Sequence, residues 1–438
     1  MAYALILFYL VAIVSPFFAL GIHGLHSDET FFTEVGRCFG MFGFMILMLQ
    51  VVLAGRFKSL TKYFGLDIVL RFHRNMAILA LVFLLVHPLF LALGDRSWAM
   101  LSIHNLPWNI WLGKFCLVLL LVIVLVSKFQ LKWKIKFEKW RWGHNLAAPA
   151  LLIGIFIHSF VTGDDLDFLP TQTWWFIILL GALALFVYHR MIRPSMLWRR
   201  PYQVADIKSE TDNVWTVKMT PPVGEKTNEF LPGQFHFLTF KSSGGVPPEE
   251  HHFTISSSPA NRHYVTSTIK ALGDFTSQIG SLRPGDRVRI QAPFGRFSYP
   301  LYPEEKELVF LTGGIGITPL MSMLRHMRDT ERTIPVTLFY ANRAEEDIVF
   351  KEELDALEAD EHFRLKVVHI LSHPAEGWNG ESGHLSKDMI QRHLDSPQGE
   401  RGYYLCGPKA LVKAAEEILR DMGVSDRRLH TEIFSFLD

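Results

Sequence analysis

His73 and His87 stand fourteen residues apart, and His144 and His158 repeat the interval. At about 1.5 Å and 100° per residue, that spacing puts two imidazoles on nearly the same helix face, roughly 21 Å apart. Each pair sits in or at the end of an apolar stretch, where an ionisable side chain is costly and marks function. Neutral imidazole ligates haem iron, and one histidine from each of two helices fills both axial positions, so such iron relays electrons and has no vacant site for oxygen. The four residues therefore point to two stacked haems, His73 facing His144 and His87 facing His158. Single membrane histidines also serve packing or proton relay; the repeated interval favours ligation.

Two helices alone cannot hold such centres, and the surrounding sequence supplies the rest of a bundle. Apolar runs cover Ala2 to Gly21, Phe39 to Ala54, Met76 to Leu93, Phe115 to Val126, Ala147 to Val161 and Trp174 to Tyr188. Several are shorter than the roughly 20 residues that a hydrocarbon core requires, but flanking Trp, His, Lys and Arg extend them to the interfaces. The reading is six membrane helices, the first of them retained and not a cleaved leader. Residues 1–200 hold 18 Lys+Arg against 9 Asp+Glu, whereas the remainder holds 26 against 34. Fifteen of the eighteen basic residues fall in the second-to-third and fourth-to-fifth loops and after the sixth helix, which assigns that side and both termini to the cytoplasm. Arg71, Arg74 and Arg141 inside, with Arg37 and Arg96 outside, are candidate propionate partners. His23, His26 and His104 read as outer-loop residues. Cys38, Cys116 and Cys406 show neither a CxxC nor an even set, so neither a disulfide framework nor a thiolate metal site is indicated.

Beyond Pro201 the pattern changes to short alternating strands, such as Val214 to Met219 and Phe235 to Phe240, broken by Pro232-Gly233, Gly244-Gly245 and Pro284-Gly285. A small antiparallel barrel over 202–300 is expected. From Glu307 an apolar strand, a glycine loop and a helix begin a parallel α/β unit, with further strands at Val336 to Tyr340, Leu365 to His369 and Tyr403 to Cys406. Gly313, Gly314 and Gly316 let the backbone approach a pyrophosphate, and Thr318-Pro319 start the following helix, whose N-terminus favours anionic charge.

Three further motifs act in combination: His251-His252-Phe253-Thr254-Ile255-Ser256, Lys270-Ala-Leu-Gly273-Asp-Phe-Thr276, and Cys406-Gly407-Pro408. With the glycine loop they resemble the ferredoxin reductase-like flavoprotein module. Joined to the paired-histidine membrane region, the chain resembles the NADPH oxidase and ferric reductase superfamily over nearly all of its length. The resemblance implies three domains: 1–195 transmembrane with two haems b, 202–300 binding FAD, and 305–438 binding NAD(P)H. It also implies that Thr254 hydrogen-bonds the isoalloxazine, that His251, His252 and Phe253 line the flavin, and that Lys270 and Gly273 to Thr276 serve its pyrophosphate through backbone amides. By the same resemblance Cys406 and Gly407 lie beside the nicotinamide. Where the family commonly has His-Pro-Phe-Thr, His252 replaces the proline. Arg343, after the second α/β strand, could pair with the 2′-phosphate of NADPH; Glu345, Glu346 and Asp347 oppose it, which leaves NADH open. Glu432-Ile-Phe434-Ser-Phe436 resembles the family's acidic-then-aromatic ending, with Phe434 as the aromatic over the flavin.

The expected activity is electron transfer across the plasma membrane from cytoplasmic NAD(P)H via FAD and two bis-histidine haems to an outer acceptor, with O2 giving superoxide. Arg37 stands where oxidases of the superfamily place an arginine at the outer haem. The alternatives are an Fe(III) chelate as acceptor, near acidic outer residues such as Asp164, Asp165 and Asp167, or a separate partner protein. No nucleic-acid partner is expected, and oligomeric state is not legible.

Overall fold

The computed structural model describes residues 1–21 (side chains to 17), 30–104, 106–163, 166, 168–394 and 400–433. His23, His26, Asp28, Glu29, Asp164, Asp165, Asp167, Phe434 and Phe436 lie outside the described residues. The chain divides into two compact units, Met1–Pro194 and Ser195–Asp438.

In the first unit the helices are α1 (Ala2–Gly21), α2 (Phe31–Ala54), α3 (Lys58–Phe64), α4 (Leu66–Gly94), α5 (Trp108–Phe129), α6 (Phe137–Thr162) and α7 (Leu169–Val187). A five-residue π-turn, Tyr188–Ile192, carries α7 into α8 (Arg193–Arg199). Among the described residues, five stretches are long and apolar enough to cross a membrane: α2, α4, α5, α6 and the continuous Leu169–Arg199. The shorter Ala2–Phe17 is also apolar. Apart from the first, the apolar runs prove to be parts of longer helices, because helical hydrogen bonding continues past the hydrocarbon-like segment into polar turns. His73 and His87 thus share α4, and His144 and His158 share α6.

Glycine sets how closely these helices approach. A Cβ on Gly36, Gly40 or Gly43 of α2 would meet Leu91, His87 or Leu84 of α4 at 3.0, 2.9 or 2.6 Å, and one on Gly94 would meet Thr33 at 2.1 Å. The descending partner numbers show an antiparallel pair with a small-residue seam. α5 and α6 repeat the arrangement: Asn109 Nδ2 donates to Thr162 Oγ1 at 3.2 Å, a Cβ on Gly113 would meet His158, and Gly154 abuts Cys116. Behind the seams a core forms around Phe44, Met45, Leu81, Leu120, Leu151 and Trp175, with Phe44 and Trp175 stacked at 4.8 Å.

The second unit holds two sheets. The first is antiparallel, in the order β4 (His251–Thr254), β3 (Phe235–Lys241), β6 (Arg287–Phe294), β1 (Tyr202–Thr211), β2 (Val214–Thr220), β5 (Val265–Lys270). Just past β4, the Ser256 amide donates to the Thr266 carbonyl on β5 at 2.8 Å, so the sheet curls until its edges meet. The second sheet is parallel, in the order β10 (Glu381–Ser382), β9 (Leu365–Leu371), β8 (Val336–Asn342), β7 (Glu307–Gly313), β11 (Arg401–Cys406), β12 (Leu429–Glu432). Its central strands are continuous apolar runs buried on both faces, as a sheet covered by helices requires. Those helices are α9 (Ile317–Asp329), α10 (Lys351–Ala359), α11 (Lys387–His393) and α12 (Lys409–Asp421).

Candidate functional site

The His73 and His144 rings lie 6.4 Å apart, centre to centre. Two metal–imidazole bonds of about 2 Å each plus the ring radii put opposed rings roughly 6 Å apart, so this separation suits a shared metal centre. Both residues line a cavity of about 90 Å³ with Gln50, Asn145, His189 and Arg190. His87 and His158 line a second, larger cavity of about 660 Å³ together with Arg37, Lys114 and Trp175, within the ordinary size range for a cofactor site. Because partners at both levels are separated by the same interval on each helix, α4 and α6 must run parallel.

At the larger cavity each imidazole is held by backbone. His87 Nδ1 lies 2.8 Å from the Gly36 carbonyl, and His158 Nδ1 lies 2.8 Å from the Asn109 carbonyl. A carbonyl only accepts, so both Nδ1 atoms carry the proton and both Nε2 atoms keep a lone pair for a metal. Four residues beyond each carbonyl comes a glycine, Gly40 or Gly113, whose missing Cβ makes room for the ring. The inner pair lacks such locks. His144 Nδ1 is buried without a hydrogen bond, and the Gln50 carbonyl lies beside the His73 ring without completing one. Donor chemistry fits a bis-histidine haem at each level, supported at the inner pair by the ring separation and at the outer pair by the cavity size.

Arg37 lines the outer cavity; Arg96 does not, and Lys114, absent from the sequence reading, does. Arg71, Arg74 and Arg141 are not among the residues lining the inner cavity, where Arg190 is. Arg71 instead pairs with Asp67 at 2.8 Å, and Arg141 lies over the Phe137 ring at 5.5 Å. His189 and Lys114 escaped the sequence reading because neither belongs to a repeated interval; only helix rotation brings them to the cavities.

In the second unit β4 runs unbroken through His251 and His252, so the missing proline leaves the strand intact. His252 pairs with Phe237 and its ring lies near Phe235 and Phe237; His251 stacks on Phe275 at 3.9 Å. Phe253 is half-buried beside it and Thr254 is buried. Beneath Thr254 lies a further histidine that the sequence does not reveal. His236, fully buried, donates from Nε2 to Ser267 Oγ at 2.6 Å, which donates to the Thr254 carbonyl at 3.0 Å. Burial pushes His236 down to about 3, so it is neutral. Lys270 ends β5. In the turn that follows, the Leu272 and Gly273 amides donate to Thr276 Oγ1 at 2.9 and 3.0 Å, so Thr276 shapes the loop expected to serve a pyrophosphate.

Gly313 ends β7, Gly314 takes a left-handed φ of +52°, and Gly316 precedes α9. A Cβ on Gly316 would strike the Cys406 carbonyl at 2.5 Å, so the glycine loop and the Cys406-Gly407 turn are pressed together. Thr312 Oγ1 ties them by donating to that carbonyl at 2.7 Å, while Thr318 Oγ1 donates to Ile315 within the loop. Cys406 is fully buried, and burial, reinforced by the Glu432 carboxylate, holds its thiol well above the usual range. Glu432 pairs with Cys406 across β12 and β11 and approaches Gly295, which abuts Phe235, the strand partner of Thr254. The structure thereby brings Thr254, Cys406, Gly407 and the glycine loop into one neighbourhood. Arg343 stands apart, exposed after β8, with Glu345–Asp347 in the next turn.

Residues 39–155 match the ferric reductase like transmembrane component family, and residues 310–417 match the oxidoreductase NAD-binding domain family. NADH-cytochrome b5 reductase 1 of Mortierella alpina is 31% identical over 214 residues, 47% of this chain and 70% of the relative. Nitrate reductase [NADPH] of Emericella nidulans is 34% identical over 170 residues, 36% of this chain but only 20% of the relative. The cytochrome b5 reductase domain of Ulva prolifera nitrate reductase aligns with a TM-score of 0.48 at 22% identity, covering 53% of this chain and 97% of that one.

Proposed function

The chain belongs to the proteins of NADPH oxidase and ferric reductase architecture, a transmembrane ferric reductase-like domain fused to a FAD and NAD(P)H reductase module, and from that premise we propose that it carries electrons from cytoplasmic NAD(P)H across the plasma membrane to O2, releasing superoxide outside. The observation that carries the transmembrane part is the pairing of His73 with His144 and of His87 with His158 on two parallel helices. Bound FAD supplies the division of a hydride's electron pair into single electrons, and bound haem b supplies one-electron relay across the bilayer.

In this reading the chain's own groups bind, orient and exclude. Gly313, Gly314 and Gly316 bring backbone against a pyrophosphate, with α9 behind them, and Arg343 meets the adenosine phosphate end. Gly407 lets the nicotinamide settle beside Cys406, whose high thiol pKa keeps it neutral there. Thr254, its carbonyl fixed by Ser267 and His236, holds the flavin edge, with His251, His252 and Phe253 along it, Lys270, Gly273 and Thr276 at its pyrophosphate end, and Phe434 covering its open face. Gly36 and Asn109 hold the outer imidazoles so that no reorientation accompanies electron passage. Arg37 and Lys114 place positive charge where an anionic product forms. Two electrons per NAD(P)H give two superoxide and one released proton. Six crossings, with α1 as the first, keep both termini cytoplasmic.

The ferric reductase match favours a second reading in which an Fe(III) chelate is the acceptor. Cytochrome c reduction by the purified, FAD-supplemented protein separates the two. Superoxide dismutase is expected to abolish the NADPH-driven signal; persistence of the signal together with fast Fe(III)-chelate reduction would establish the metal reductase instead.

A further inference from the structure

The smaller cavity of the first unit is lined by polar atoms that find no partner in the protein. His189 Nε2, Gln50 Oε1 and His144 Nδ1 are all buried there without a hydrogen bond. Leaving a buried donor or acceptor unsatisfied costs about 1–3 kcal/mol each, so several on one small cavity mark a place that a polar group fills. Of the three, only His189 is neither a candidate ligand nor tied within its own helix: Gln50 already donates from Nε2 to the Ile46 carbonyl at 3.2 Å.

His189 is also deliberately housed. It sits on the π-turn Tyr188–Ile192, a rare geometry that recurs at functional sites. Its ring meets the Phe57 edge at 4.4 Å. Opposite stands Gly55, the C-cap of α2, where a Cβ would come within 3.2 Å of His189 Cδ2 and 2.6 Å of Phe57. The next residue, Arg190, lines the same cavity and adds positive charge. An imidazole donor beside a guanidinium, both on the wall of the cavity that His73 and His144 line, is complementary to a carboxylate.

We infer that His189 is a positioning and tuning residue of the inner centre, donating from Nε2 to a propionate carboxylate of the haem held by His73 and His144. The inference rests on the two-haem reading above. A donor that neutralises part of a propionate's charge stabilises the reduced, more negative centre, so its loss lowers that centre's reduction potential.

Potentiometric titration of the full-length protein, followed by the α-band absorbance of its haems, tests this. In His189→Leu one of the two midpoints should fall, corresponding to a roughly threefold to tenfold smaller reduction equilibrium constant, the size of one hydrogen bond, while the other stays. His189→Gln, which keeps a side-chain donor, should restore most of the shift. Gly55→Ala, which leaves His189 in place but crowds its ring, should produce a smaller shift of the same sign and serves if the leucine variant does not accumulate. Two unchanged midpoints at full haem content would overturn the inference, as would equal shifts in the leucine and glutamine variants. Protein that purifies without two low-spin haems would overturn the underlying reading itself, an outcome distinct from unmoved midpoints.

Discussion

His236 shows what a single buried side chain can impose on the molecule. It is fully enclosed, donates to Ser267, and is held neutral by burial with a pKa of about 3. The unfolded chain takes up a proton at this residue below about pH 6.5, whereas the folded chain does not until about pH 3, so stability is complete above 6.5 and declines as pH falls between those values. Thermal unfolding of the full-length protein, followed by flavin release, should therefore show a midpoint that drops as pH is lowered from 7 to 5. His236→Gln keeps a donor toward Ser267 but cannot charge, and its midpoint should vary less over the same range; parallel pH profiles would show that other groups set the acid sensitivity. None of this is legible in the sequence, where His236 is one of nineteen histidines and stands in a strand of aromatic and apolar residues. The pairing of the four membrane histidines was legible because the signal there is an interval repeated twice, which a helix converts directly into position.

At the scale of elements, the device at the outer cavity is the same in two helix pairs. In α2 with α4, and again in α5 with α6, a carbonyl on one helix fixes the histidine Nδ1 of the other and a glycine four residues later clears space for the ring. A methyl on Gly40 or Gly113 would sit 2.9 or 2.6 Å from the histidine it faces, closer than real contacts allow, and overpacking of this kind costs about 1–3 kcal/mol. Gly40→Ala and Gly113→Ala should each lower the occupancy of one haem while the other is retained. The pyridine haemochrome ratio of haem to protein measures this, and full occupancy in both variants would show that the rings have room to move. The sheet types, several strands and the glycine loop of the second unit were legible, since alternation, turns and the strand-loop-helix pattern are local, whereas the strand order was not. The places of Lys114 and His189 were not: which face of an apolar helix turns inward is decided by packing against its neighbours, and no local pattern records it. β4 is unbroken at His252 because a strand loses nothing when a proline that cannot donate is replaced by a residue that can.

For the whole molecule, charge divides as the structure does. The basic excess lies in the first 200 residues, and the remainder is acidic. With the proposed orientation, sealed proteoliposomes given external NADPH can use only those copies whose reductase module faces outward, and these deliver product to the lumen. Superoxide dismutase trapped inside should suppress the signal of a lumenal superoxide probe, and the enzyme added outside should not; superoxide found only on the NADPH side would show that electrons do not cross the bilayer. The carbonyl locks on His87 and His158 carry a final implication for how this chain tolerates mutation. Glycine supplies one lock and asparagine the other, because the backbone does the work whatever side chain it bears. Position 109 is therefore free to drift as far as this contact is concerned, while positions 40 and 113, which contribute only empty space, accept no replacement without disturbing a ring. Substitution at this site is limited by what is missing from the helix surface more than by what is present.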